Sequence, residues 1–143
     1  MELKPLDEHS AADSQTGAIG DIEVINNETN NIFEAIEVKH DIPLNERIVQ
    51  DADQKIMDKS VDRYYILTTH LTCEPDNSLY QKITNVKSLY NCQLIANGVI
   101  PSLRYYLRLL SHPSLVFPQY VELLKSDKTI KHEHREIWNK LAI

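Results

Sequence analysis

Three residues in the first third of the chain have types and spacing that suit hydrolytic chemistry: Asp21 in "GDIEVI", and Glu37 and Lys39 in "EAIEVK". Neighbouring β-strands lie ~4.8 Å apart, and same-face residues of one strand ~6.5 Å apart. An aspartate on one strand and a glutamate on the next can therefore face a common volume. Two carboxylates placed there repel unless a cation lies between them. A hard divalent ion suits oxygen ligands, and Mg²⁺ accepts a few carboxylates while keeping several waters. Lys39 sits one pleat beyond Glu37, where an ammonium can position and activate a metal-bound water. The ion can also stabilise charge that builds on a phosphate.

The surrounding sequence must supply two adjacent strands. Residues 19–25 and 34–40 alternate with period two and carry β-branched residues, which predicts strands. Asp21 and Glu23 share a side with Ile19, whereas Ala35, Glu37 and Lys39 share a side opposite Ile36 and Val38. "NNETNN" between them is a polar turn in which Asn tolerates left-handed backbone. An antiparallel hairpin follows. Ile48, Val49, Ala52 and Ile56 then recur at helical spacing behind Asn45, a suitable N-cap. "RYYILTTHL", residues 63–71, is a buried strand by composition. Leu79, Ile83, Val86, Tyr90 and Leu94 predict a helix that Gly98 ends, capped at Asn77 or Ser78. Pro101 opens a helix with Leu103, Leu107 and Leu110 on one side, and Pro118 opens another through Leu124. A last helix turns Ile130, Ile137 and Leu141 inward. The expected fold is α/β (α+β): a mixed sheet in the order strand, strand, helix, strand, followed by a helical C-terminal half.

Asp21, the polar turn and Glu37-Val38-Lys39 together resemble the core of the PD-(D/E)XK nuclease superfamily. That family places an Asp on one strand and (Asp/Glu)-x-Lys on the next. Gly20 stands here where the family often has Pro. The resemblance covers residues 17–71 and is nearest to the type II restriction endonucleases, a SacI-like branch among them. It implies a restriction endonuclease-like sheet, with Asp21, Glu37 and Lys39 catalytic, Asp21 and Glu37 binding Mg²⁺ or Mn²⁺, and DNA as substrate. It also implies a product with a 5′-phosphate, and a homodimer or a missing partner subunit where both strands are cut. One departure stands out: the family core opens with a helix that often carries another acid. The upstream acids Glu2, Asp7, Glu8 and Asp13 lie on no clear helical pattern.

Other candidates carry weaker signals. Glu23 is a candidate supporting ligand or a charge at the strand end. Gln50, Gln54 and Lys55 lie on the following helix and can support the site, although an exposed helical face explains any one of them as well. Gly17 and Gly20 permit close backbone approach before Asp21, or a turn. His40 points away from Lys39 by strand alternation, and His70 has no assigned role. In "KHEHRE", His132 and Glu136 face each other on a helix, but two ligands are too few for a metal. Lys125, Lys128, Lys131, Arg135 and Lys140, or Arg104 and Arg108, suit DNA phosphates or are solvated faces. Tyr64, Tyr65, Tyr105 and Tyr106 read as core or interface residues.

A length of 143 residues allows one domain with a real core. The organisation expected is a single domain over 1–143, with a lead-in at 1–16, a catalytic sheet core at 17–71 and a helical part at 77–143. The whole is either a complete protein or a piece of a longer one. A net charge of −6 argues against a protein held to nucleic acid by bulk charge alone. No apolar run approaches the ~20 residues that span a bilayer, and the acidic start does not resemble a signal peptide. Cys73 and Cys92 fit no zinc spacing and read as reduced thiols of a cytoplasmic protein. A non-catalytic DNA- or protein-binding module on the same core, and a repair or junction nuclease, are the alternatives.

Overall fold

The computed structural model describes residues 1–4, 17–57, 59–127 and 130–141. Most of the lead-in, with Asp7, Glu8 and Asp13, lies outside the described residues, as does Lys128. The chain falls into two compact units, Met1–Leu103 and Arg104–Ile143.

The first unit is a five-stranded sheet with two helices. Its strands are β1 (Glu2–Leu3), β2 (Ile22–Ile25), β3 (Ile32–Lys39), β4 (Val61–Thr68) and β5 (Gln93–Gly98), adjacent in that order. β1, β2 and β3 run antiparallel, whereas β3, β4 and β5 are parallel. Helix α1 (Glu46–Met57) returns the chain from β3 to β4, and α2 (Asn77–Tyr90) from β4 to β5. Parallel neighbours require such crossovers. The fold is thus α+β with a mixed sheet, and the α/β character expected from the periodicities is present.

Local chemistry sets the element ends. Asn45 Oδ1 accepts a 3.1 Å hydrogen bond from the Ile48 amide, which caps α1 as expected. Asn26 and Asn31 close the β2–β3 turn through the bond Asn26 N to Asn31 O, and Asn30 supplies the left-handed residue at φ 56°. The helix expected to run to Gly98 is shorter. Asp76 caps α2 by accepting from the Leu79 amide at 2.8 Å, and Asn91 ends it in the left-handed region at φ 57°. Leu94 therefore lies on β5, not on the helical stripe. The run after Asn91 is apolar enough to pair in parallel with β4. Gly98 has a packing role instead: a Cβ there would lie 2.9 Å from Cys73 Sγ and from Pro101 Cδ.

The core fills one face of the sheet. Ala35, Tyr64, Ile66 and Leu94 project from β3, β4 and β5 against Ile48, Val49, Ala52 and Ile56 of α1 and Leu79, Ile83 and Val86 of α2. Glu23 and Glu37 lie on this covered face and are buried. On the opposite face Val38 is exposed, and Ile36, Leu67 and Ile95 are half-buried. There Glu34 accepts from Arg63 Nη1 at 2.9 Å and raises the guanidinium pKa further.

Helix α3 (Val99–Leu109) crosses from the first unit into the second. The second unit continues with a 3₁₀ turn (Pro113–Leu115), α4 (Val116–Ser126) and α5 (His132–Leu141). Trp138 organises it, with its ring 4.9 Å from Tyr120 and 6.4 Å from Phe117 between centroids. Arg135 Nη2 donates to the Asp127 carbonyl at 2.6 Å. The expected stripes are covered only in part: Leu107 and Ile130 are half-buried, Leu103, Leu110, Ile137 and Leu141 are exposed, and Ser102 of α3 and Leu124 of α4 are buried. No helix among the described residues is long and apolar enough to cross a membrane.

Candidate active site

The β2–β3 register pairs Ile22 with Ile36 and Glu23 with Ala35. Asp21 precedes this ladder, in a bend just before β2, and its carboxylate accepts from the Val38 amide of β3. Glu37 and Lys39 share a face of β3 by strand alternation, and the Lys39 ammonium donates to Glu37 Oε1. The structure therefore brings Glu37 and Lys39 together, with Asp21 held at the main chain of the residue between them.

Each acid is held differently. Asp21 is exposed in the bend just before β2, and its Oδ2 accepts a 2.6 Å hydrogen bond from the Val38 amide. Its Oδ1 has no hydrogen-bond partner among the described residues. Glu37 is only 8% exposed. Its Oε1 pairs with Lys39, and its Oε2 accepts from Lys55 Nζ of α1 at 3.0 Å. Tyr64 donates its hydroxyl hydrogen to the Ile19 carbonyl at 2.6 Å, and the same oxygen lies 3.4 Å from Glu37 Oε2. A buried carboxylate needs such partners, since an unpaired charge in this position would be strongly destabilising.

Glu37 and Lys39 open into a cavity of about 500 Å³, walled also by Asp51, Gln54 and Lys55 of α1 and by Tyr64 of β4. Gly20 brings the chain to this place. A Cβ at Gly20 would lie 2.9 Å from the Ile36 carbonyl oxygen and 3.1 Å from the Ile36 nitrogen, both main-chain atoms. Only glycine allows that approach, which sets Asp21 against Val38. The close partner is thus β3 itself. Gly17 takes φ 70°, and its carbonyl accepts from Lys59 Nζ.

The supporting candidates divide. Glu23 is 4% exposed, and its two oxygens accept from the Ile19 amide at 2.7 Å and from Lys4 Nζ at 2.8 Å. These bonds close the 19–23 segment and fasten β1, and Glu23 does not line the cavity. Gln54 stands on the cavity wall. Gln50 instead donates to Glu46 Oε1 at 3.1 Å and lines a separate hollow with Asp53 and Lys82. His40 Nδ1 lies 3.3 Å from Thr69 Oγ1, and His70 Nδ1 accepts from the Thr72 amide at 3.0 Å. His132 and Glu136 approach to 3.7 Å on α5.

Two further residues reach Glu37: Lys55, already a candidate for supporting the site, and Tyr64, which the sequence had placed only in the core or an interface. Lys55 follows Ala52 by three and Ile48 by seven, so it borders the buried stripe of α1, which is the signal that turns it toward the sheet. Tyr64 carries no such signal by itself. Its face follows from the parallel pairing Ala35↔Tyr64.

Asp21 and Glu37 carry oxygen ligands of the kind a hard cation takes, but both Glu37 oxygens are occupied by Lys39 and Lys55, and exposed Asp21 does not line the cavity that Glu37 faces. Among the described residues no group of three or more His, Cys, Asp or Glu comes together as a metal cage. Mg²⁺ fits a two-carboxylate site because water completes its shell.

No family model matches the chain, and no curated protein matches it significantly.

Proposed function

We propose that this chain is a Mg²⁺-dependent deoxyribonuclease of the restriction endonuclease type, with Asp21, Glu37 and Lys39 as its catalytic residues. The observation that supports the reading is the direct contact of Lys39 with Glu37 on one face of β3, with the Asp21 carboxylate held at the amide of Val38 between them. Asp21 and Glu37 would hold Mg²⁺ or Mn²⁺, which when bound supplies positive charge for the phosphate and lowers the pKa of a water. Lys39 has three donors, of which Glu37 occupies one. The remaining two can orient a water or a phosphate oxygen at the cavity mouth. Gln54 can add a neutral donor or acceptor on the cavity wall. Cleavage of a phosphodiester would leave a 5′-phosphate. Cutting both strands of DNA requires two such sites, hence a homodimer or a partner subunit.

A second reading is favoured by one specific observation. Glu37 is already neutralised within the chain by Lys39 and Lys55, so its burial is explained without an ion. On this reading the core is a non-catalytic module that binds DNA or a protein. A repair or junction nuclease would share the catalytic residues and differ in substrate.

Supercoiled plasmid incubated with Mg²⁺ and with EDTA separates these readings. Nicking or linearisation that needs the metal and disappears in Lys39→Ala is the expected result. Cleavage undiminished in Lys39→Ala, or no cleavage of any duplex, junction or single strand with either Mg²⁺ or Mn²⁺, would sink it.

A further inference from the structure

The two edges of the sheet differ. β1 is two residues long and is followed directly by Lys4. β5 has six residues, Gln93–Gly98, with no charged residue and no proline, and among the described residues it pairs with β4 alone. Main-chain groups along a strand point alternately to its two sides, so the outer side of β5 presents a row of N–H and C=O groups without a partner strand. Natural sheets shorten, charge or cover such an edge. A groove of about 350 Å³ runs beside it, within the first unit. One wall is a single face of α2, formed by Tyr80, Ile83, Thr84 and Lys87 at helical spacing. Leu94 and Ala96 contribute from β5. Tyr80 is 63% exposed, and Thr84 and Lys87 are exposed too. Lys87 is the single charge on this lining and makes no ion pair among the described residues.

We propose that the β5 edge and the α2 groove form a peptide site, which takes an extended segment of another protein with alternate apolar side chains and a carboxylate at its C-terminal end. The inference goes beyond the nuclease reading and does not depend on it. The main chain of the added strand pairs with the outer groups of β5. Its alternate side chains enter the groove beside Ala96, where a small side chain leaves room for them. Antiparallel addition is the more stable pairing. Lys87 lies in the last turn of α2, at the end of the groove where β5 begins, so an antiparallel strand brings its C-terminal residue there. The ammonium favours a carboxylate at that place, from a side chain or from the chain terminus. Charge decides against a second copy as the occupant, because its own edge and groove carry no acid and repeat the positive Lys87.

The test is retention of a random hexapeptide pool on the immobilised full chain, read by mass spectrometry, with the pool made once as C-terminal acids and once as C-terminal amides. Retained peptides should alternate apolar residues. Acidic last residues in the amide pool make a side chain the source of the carboxylate, and retention of the acid pool alone makes it the chain terminus; both support the site. Thr84→Trp fills the groove from an exposed position and should abolish retention. Lys87→Glu, also at an exposed position, should weaken carboxylate-bearing peptides about tenfold and select peptides ending in Lys or Arg. The charge reversal is decisive by itself where Thr84→Trp does not melt like the parent. Retention of no peptide, retention that neither substitution alters, or retention without preference for a carboxylate overturns the proposal. A parent dimer that Thr84→Trp converts to monomer in sedimentation also overturns it, and gives the edge to a second copy.

Discussion

The Asp21 carboxylate is fastened to the Val38 amide at 2.6 Å, the residue between Glu37 and Lys39. One oxygen of this exposed acid thus anchors the bend before β2 to β3. Anchor and charge can be separated. Asp21→Asn keeps a carbonyl oxygen for the Val38 amide and removes the charge. Its stability should stay within about 0.5 kcal/mol of the parent, as for other exposed substitutions, while Mn²⁺ binding in the presence of duplex is lost. Denaturant melts and calorimetry check both halves. Undiminished Mn²⁺ affinity in Asp21→Asn would remove this residue from the site.

Glu23 lies on the same sheet face but holds protein groups. Glu23→Ala would leave the buried Ile19 amide without its acceptor and free Lys4. The expected cost is about 1–3 kcal/mol of stability, with Mn²⁺ affinity unchanged at a temperature where the variant is folded. A large loss of metal affinity without loss of stability would instead make Glu23 a ligand.

Gly20 is required by contact with main-chain atoms that cannot move aside as a side chain could. Gly20→Ala should cost about 1–3 kcal/mol through overpacking against Ile36. It should also weaken metal binding, because Asp21 shifts with it. A melting curve that coincides with the parent's would show that β2 and β3 lie further apart than described.

The boundary between α2 and β5 is testable through its caps. Asp76→Ala removes the acceptor of the Leu79 amide, and Asn91→Ala forces a Cβ-branchless but non-glycine residue into the left-handed region without the Asn side chain. Each should cost about 1 kcal/mol. Asn91→Gly should be neutral or stabilising. A helix running through to Gly98 would give the opposite order at position 91, with Ala the best residue.

Burial of the Cys92 thiol, reinforced by the charge of Asp62, pushes its pKa up to about 11 from an ordinary 9.0. At pH 8 the native protein should expose Cys73 to a thiol reagent and protect Cys92. The sign for stability follows from proton counts. Between pH 9 and pH 11 the unfolded chain has lost the Cys92 proton and the folded chain retains it. Stability contributed by this group is therefore intact below pH 9 and falls as the pH rises toward 11. Cys92→Ser should flatten that part of the pH profile in urea melts.

Period-two alternation was enough to place the hairpin, its polar turn and the shared face of Glu37 and Lys39, because strand geometry admits only two sides; Asp21 falls just before the paired strand, where alternation does not decide the direction of its carboxylate. The helix of residues 46–57 was equally legible from Asn45 and its apolar stripe. Which side of the hairpin is buried was not legible. The acidic side faces the helices and exposed Val38 does not, since the partners that make burial tolerable, Lys55 and Tyr64, arrive from 18 and 27 residues away. The strand at 93–98 was hidden for a related reason. Leu94 continues a helical spacing, and only pairing with β4 makes the extended form the better one. In the second unit, spacing found the helices, but not which stripe is covered, because that depends on what each helix meets.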